Sequence, residues 1–160
     1  MSEQTLQHEL GKKQPFDSES QRAFLNVLRS AADLSGPFDR LFRSMGLSQS
    51  GYNALRILRG EGPCSCHDIG QRLVVRVPDV TRLIDRLVSA GLADRTRSQE
   101  DRRVVLVSIT DDGRRLLAEL DRPVLELHES QLAHMSAADQ RELSRLLELA
   151  RSPSPEGARR

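Results

Sequence analysis

The stretch VTRLIDRLVSAGLADRTRSQEDRRVVLVSITDDG, residues 80–113, decides the fold. Val80, Leu83, Ile84 and Leu87 fall at i, i+3, i+4 and i+7, the spacing of one buried helical face. Arg82 and Arg86, four residues apart, share another face, left to solvent or a partner. Gly91 is placed to end the helix in a left-handed conformation, with Leu92 packing back on its last turn. LADRTR and RVVLVSI then read as two short strands around the charged turn SQEDR. A helix followed by an arginine-tipped hairpin predicts a mainly α fold with a small β-wing, a winged helix-turn-helix.

Outward from this stretch the chain reads as helices. Phe16 before Ser18, with Gln21 three residues on, resembles a hydrophobic staple plus capping box opening a first helix. Its stripe of Leu34, Phe38, Leu41 and Met45 runs to Gly46, and Gly36-Pro37 predicts a kink or break within it. Ser48 can cap a second helix with Tyr52, Leu55 and Leu58 inward, and Ser65 with Asp68 approximates a capping box for a short third. The fourth is expected to begin near Pro78, whose missing amide hydrogen suits a first helical position. Thr110 can cap a fifth helix over 111–132, with a bend expected at Pro123. Ser136 and Asp139 open a sixth, striped by Leu143, Leu146, Leu147 and Ala150.

The expected organisation is a flexible arm over 1–17, a winged-helix domain over 18–151 and a disordered tail over 152–160. Within the domain, a nucleic-acid-binding lobe covers about 48–110, and terminal helices about 18–45 and 111–151 carry more apolar surface than a small core needs. Pairing with a second copy would bury that surplus, and a two-fold protein reads a palindrome with two recognition helices.

Composition narrows the function classes. The formal net charge is only +1, yet the segment from Arg72 to Arg103 holds eight arginines against five acids. A local basic patch on a near-neutral chain suits a site-selective binder of double-stranded DNA better than a nonspecific polycation. No apolar run approaches the ~20 residues of a membrane span and the polar N-terminus lacks a signal-peptide core, so a cytoplasmic location without membrane contact is expected. Nucleophile–base pairs, glycine-rich phosphate loops and paired carboxylates do not stand out, so no enzyme is read and no cofactor expected.

The segments GLSQSGYNALRIL, DIGQRL, DVTRLIDRLVSAGLADR and EDRRVVLVSITDDG, in this order and spacing, resemble the multiple antibiotic resistance regulator (MarR) family over about residues 20–150. The last looks like the family's D-x-R wing followed by a strand and L-T-x-x-G, with Ile109 replacing the usual leucine. The resemblance implies a homodimer joined through its terminal helices, two winged-helix lobes on DNA, repression of nearby genes and, in many members, release by a small aromatic or phenolic effector. It also implies that residues 78–89 form the recognition helix, that 98–103 form the wing, and that Asp101 orients Arg103 for the minor groove. Val77-Pro78-Asp79 departs from the small hydroxyl residues frequent at the start of that helix.

Thr81, Arg82 and Arg86 are the expected contacts of the recognition helix, since a guanidinium fork matches guanine O6 and N7, or a phosphate. The alternative is that Arg82 and Arg86 pair with Asp79 or Asp85. Asp79 either restrains Arg82 or accepts from cytosine. Arg97, Arg102 and Arg103 flank the wing, where a narrow minor groove favours an inserted guanidinium. Ser65 and His67 could donate to a phosphate, with Ser65 equally explained as a cap. Cys64 and Cys66 with His67 invite a redox- or metal-responsive reading, but C-x-C-H lacks paired zinc spacings, and Cys64 sits where a small hydrophobe belongs. Peroxide-sensing members of the family carry their reactive cysteine in the first helix, and none occurs there in this chain. A winged helix used only for protein interaction is the remaining alternative.

Overall fold

A computed structural model describes residues 5–152; the expected tail from 153 onward and residues 1–4 lie outside the described residues. The elements run α1 (Leu6–Glu9), α2 (Glu19–Ser44), α3 (Gln49–Glu61), β1 (Cys64–Ser65), α4 (Cys66–Arg72), α5 (Val80–Ser89), β2 (Ala93–Arg97), β3 (Val105–Ile109), α6 (Asp111–Leu132) and α7 (Ala137–Arg151). The chain divides into two units within α6, between Asp121 and Arg122.

The first unit is built around α3. Tyr52, Ala54, Leu55 and Leu58 are buried, so the second expected helix presents its apolar face as its spacing predicts. Around it pack α2, α4, α5 and β3. Phe42, Ile69, Ile84, Val107, Leu117 and Leu120 are fully buried, each worth ~1.5–3 kcal/mol of transfer free energy. The Phe42 ring stacks on Tyr52 with centroids 4.3 Å apart.

The three-stranded sheet has the order β1-β3-β2, all antiparallel. Arg95 lies opposite Val107 and Ala93 opposite Ile109 in the β2–β3 register. Strand β1 was not expected: two residues cannot display an alternating pattern. It pairs Cys64 with Val107 and Ser65 with Leu106, so Ser65 is both a sheet residue and the N-cap of α4.

Three expectations need correction. The arm over 1–17 contains the helical turn α1, with Leu6 buried and Glu9 paired to Arg29 of α2 at 3.4 Å. Pro37 does not break α2, which continues through it, as α6 continues through Pro123. Burial of Phe38 and Phe42 after Pro37 helps hold the helix beyond the missing donor. Finally, α5 starts at Val80 rather than Pro78 because the Asp79 carboxylate accepts from the Arg82 amide at 2.8 Å and so takes the N-cap.

The second unit, from Arg122 onward, comprises the end of α6 and α7. The expected Ser136–Asp139 capping box is complete. Gln140 closes the intervening turn, donating to the carbonyls of Leu132 at 3.1 Å and Met135 at 3.2 Å. No described residue of α7 is buried, and Leu143, Leu146 and Leu149 stand 37%, 47% and 61% exposed.

Candidate nucleic-acid interface

Helix α5 divides along its length as its sequence predicts. Leu83, Ile84 and Leu87 are buried, while Thr81, Arg82, Asp85 and Arg86 are exposed. Gly91, at φ 71°, ends the helix, and the Leu92 amide donates back to the Leu87 carbonyl at 2.9 Å. Among the described residues, Arg82, Arg86, Arg97, Arg102 and Arg103 enter no ion pair.

The ion pairs considered for Arg82 and Arg86 are therefore not those observed. Asp79 is engaged in capping through the Arg82 backbone, not its side chain. Asp85 pairs instead with Arg95 of β2, at 2.5 Å. Arg95 was missed from the sequence because hairpin register, not local spacing, turns it toward α5.

The wing tip between β2 and β3 is shaped by short-range hydrogen bonds. Ser98 Oγ accepts from the amides of Glu100 at 3.2 Å and Asp101 at 3.3 Å. Asp101 Oδ1 accepts from the Arg103 amide at 2.9 Å, so Asp101 fixes the backbone that carries Arg103 rather than its guanidinium. The Ser98 amide donates to Val104 O, and the Val104 amide to Asp101 O, both at 2.9 Å. Arg97, Asp101, Arg102 and Arg103 are all exposed around this turn.

Ahead of α5, Val77 is half-buried and Pro78 and Asp79 are exposed. Asn53 of α3, also missed from the sequence, accepts from the Val74 amide at 2.9 Å across 21 positions and pins this connection. At the start of α4, the Ser65 hydroxyl donates to Asp68 Oδ2 at 2.6 Å and accepts from the Asp68 amide at 3.2 Å. Its proton is thus committed to the cap, and that bond, with a second from the Ser65 amide to Asp68 Oδ2 at 3.2 Å, holds the Asp68 carboxyl below its usual range. His67 is exposed on the first turn of α4. Burial pushes the Cys64 thiol up, away from the thiolate that redox chemistry or metal ligation requires.

This arrangement offers a cationic helix face and a cationic hairpin tip, with no reacting group between them. The MarR family profile matches residues 47–105, from just before α3 to the first residue of β3. A MarR transcription factor from Planctomyces limnophilus, of known crystal structure, is 43% identical, covering 84% of this chain and 99% of that one with a TM-score of 0.64. The HTH-type transcriptional regulator YwoH of Bacillus subtilis is 34% identical over 77% of this chain and 89% of its own. The HTH-type transcriptional repressor IacR of Pseudomonas putida is 27% identical over 69% of this chain, and the match spans only 66% of IacR.

Proposed function

The chain belongs to the MarR family of transcriptional regulators, and on that premise we propose that it is a homodimeric repressor reading an imperfect palindromic operator. It is a regulator and not an enzyme. The observation that carries the DNA-reading assignment is the exposed Arg82 and Arg86, free of ion pairs among the described residues, on the face of α5 opposite its buried stripe. Helix α5 enters the major groove, Thr81, Arg82 and Arg86 meet base edges or phosphates, and Arg97, Arg102 and Arg103 follow the backbone into the adjacent minor groove.

Dimerisation is supported by apolar side chains left in solvent on the terminal helices: Phe24 at 62% exposure and Leu28 at 51% on α2, Leu125 at 57% on α6, and the α7 leucines. Repression is the activity in IacR's name. A small aromatic or phenolic effector that releases the DNA completes this reading, on the family resemblance alone. No described helix is long and apolar enough to cross a membrane. A cytoplasmic location is what the DNA-binding reading itself implies.

The test is selection of duplexes from a random-sequence pool, with the stoichiometry of the selected complex read by light scattering. We expect two chains on a palindrome whose half-sites lie about one helical turn, ~34–36 Å, apart. Selection of no sequence, or full-strength binding by a monomer, overturns the assignment.

A further inference from the structure

Asp85 is an acid on a surface that, if it binds DNA, faces a polyanion, and its partner is an arginine that the other wing arginines do not resemble. Residues directly opposite in an antiparallel pair point to the same face of a sheet. Arg95 lies opposite the fully buried Val107, and its strand neighbour Ala93, two residues back, is also fully buried. The pleat therefore puts Arg95 on the same sheet face as Ala93, where it stays exposed and reaches α5: one guanidinium nitrogen donates to Asp85 Oδ1 at 2.5 Å and the other to the Thr81 carbonyl at 3.4 Å. The Thr81 carbonyl points along the helix toward Asp85, so both contacts of Arg95 fall at one place on α5, beside the stripe that carries Arg82 and Arg86.

We propose that Asp85 is a specificity-determining positioning residue. Its carboxylate holds Arg95 against α5, fixing the angle at which Arg82 and Arg86 are presented, and withholds one guanidinium from nonspecific phosphate contact. Base readout depends on rigid placement of donors, whereas phosphate attraction tolerates loose placement. Asp85 therefore trades total affinity for discrimination. This inference rests on the DNA-reading function proposed above.

Asp85→Asn separates the two effects because they have opposite signs. Plain electrostatics makes removal of an acid strengthen every DNA complex equally. The positioning role makes binding to a scrambled duplex tighter while the preference for the selected duplex collapses. The probes are a duplex selected by the native chain from a random pool and its scrambled counterpart, each titrated across a salt series. We expect the ratio of the two affinities to fall by roughly tenfold or more, as loss of one base contact does. The salt slope on the scrambled duplex should steepen by about one unit per lobe as Arg95 reaches phosphate.

Arg95→Gln should lower the ratio similarly but leave the salt slope unchanged, because Arg95 touches no phosphate in the native complex. Asp85→Glu, which keeps a carboxylate within reach, should recover most of the ratio. Circular dichroism and thermal melts confirm that each variant is folded; should Asp85→Asn fail to fold, Arg95→Gln decides. An unchanged ratio in folded Asp85→Asn overturns the proposal. So does a shallower salt slope in Arg95→Gln, which would make Arg95 a native phosphate contact. If the native chain selects no duplex, the DNA-reading function itself fails and this proposal falls with it; a selecting native chain with indifferent variants sinks the proposal alone.

Discussion

Gly113→Ala is expected to destabilise the chain even though the glycine lies inside a helix. On propensity alone the change favours α6 by about 1 kcal/mol, because alanine loses less backbone freedom on folding. The surroundings reverse the sign. A Cβ at Gly113 would lie 2.3 Å from the Leu92 carbonyl oxygen and 2.8 Å from Ile109 Cγ1. The Ile109 methylene can give a little. The Leu92 carbonyl cannot, because it accepts from the Thr110 amide at 3.2 Å while the Leu92 amide is tied into the end of α5. Overpacking costs about 1–3 kcal/mol, and weakening the Thr110 bond adds about 1. After the propensity gain is subtracted, the net loss should be about 1–3 kcal/mol, which for a chain of this size lowers the melting temperature by roughly 2–12 °C. The assay is urea unfolding followed by circular dichroism at fixed protein concentration, with the midpoint falling and the slope unchanged. Gly60→Ala is the control, since a Cβ there meets nothing within 4 Å and should be neutral or slightly stabilising. If Gly113→Ala proves as stable as Gly60→Ala, the close approach of α6 to Leu92 is not real and the steric reasoning fails.

Arg103→Ala should weaken DNA binding without loss of fold, with the salt slope of log affinity shallower by about one unit per lobe; an unchanged slope removes Arg103 from the interface. Arg82→Ala should cost ~1–3 kcal/mol and relax preference at one position of each half-site in a panel of single-base duplex variants, whereas a uniform loss would make Arg82 a phosphate contact. Replacing Leu143 and Leu146 together by Asp should convert the expected dimer to a monomer by light scattering while the first unit keeps its melting temperature; a persistent dimer places the interface elsewhere. The Arg59 guanidinium, donating twice to Asp121 at 2.8 Å, holds that carboxyl below its usual range. The stabilisation is therefore present above the unfolded value of about 3.9 and is lost as pH falls through the folded value. Asp121→Asn should cost at most about 1 kcal/mol at neutral pH, the pair being part-exposed, and the difference from the native chain should shrink below about pH 4. A difference that stays constant with pH would remove the charge from the account.

What was legible in the sequence was whatever local spacing encodes. The stripe of α5, the cap at Ser65 with Asp68, the stop at Gly91 and the hairpin strands all follow from residues within one turn or one pleat of each other. At the start of α2 the box is displaced by one residue: Ser18 caps the Gln21 amide as read, but Gln21 Oε1 accepts from Asp17 rather than Ser18. Phe38 falls on the expected stripe of that helix, whereas Phe42 lies off it and is buried through Tyr52, which stands beyond a turn. At the candidate interface, the exposed arginines were legible from their face on the helix and their place in the hairpin. Arg95, Asn53 and the role of Asp79 were not. The Arg95–Asp85 pair depends on how the hairpin lies across α5, and the Asn53 bond joins α3 to a distant connection. For Asp79, sequence spacing favours a side-chain partner, but the nearer bare amide of Arg82 has the stronger claim on it.

The hydrogen bonds within the wing tip separate two responses to ionic strength. Ser98 and Asp101 shape residues 98–104 through contacts of 2.9 to 3.3 Å with backbone amides, too short for mobile ions to screen. Attraction between the arginines on this turn and a phosphate backbone acts over much longer distances and is screened. Raising salt should thus leave the loop's hydrogen-bonded conformation in place and slow the encounter. These local bonds lower the entropy that ordering the tip costs on binding, so salt should act chiefly on the rate of association.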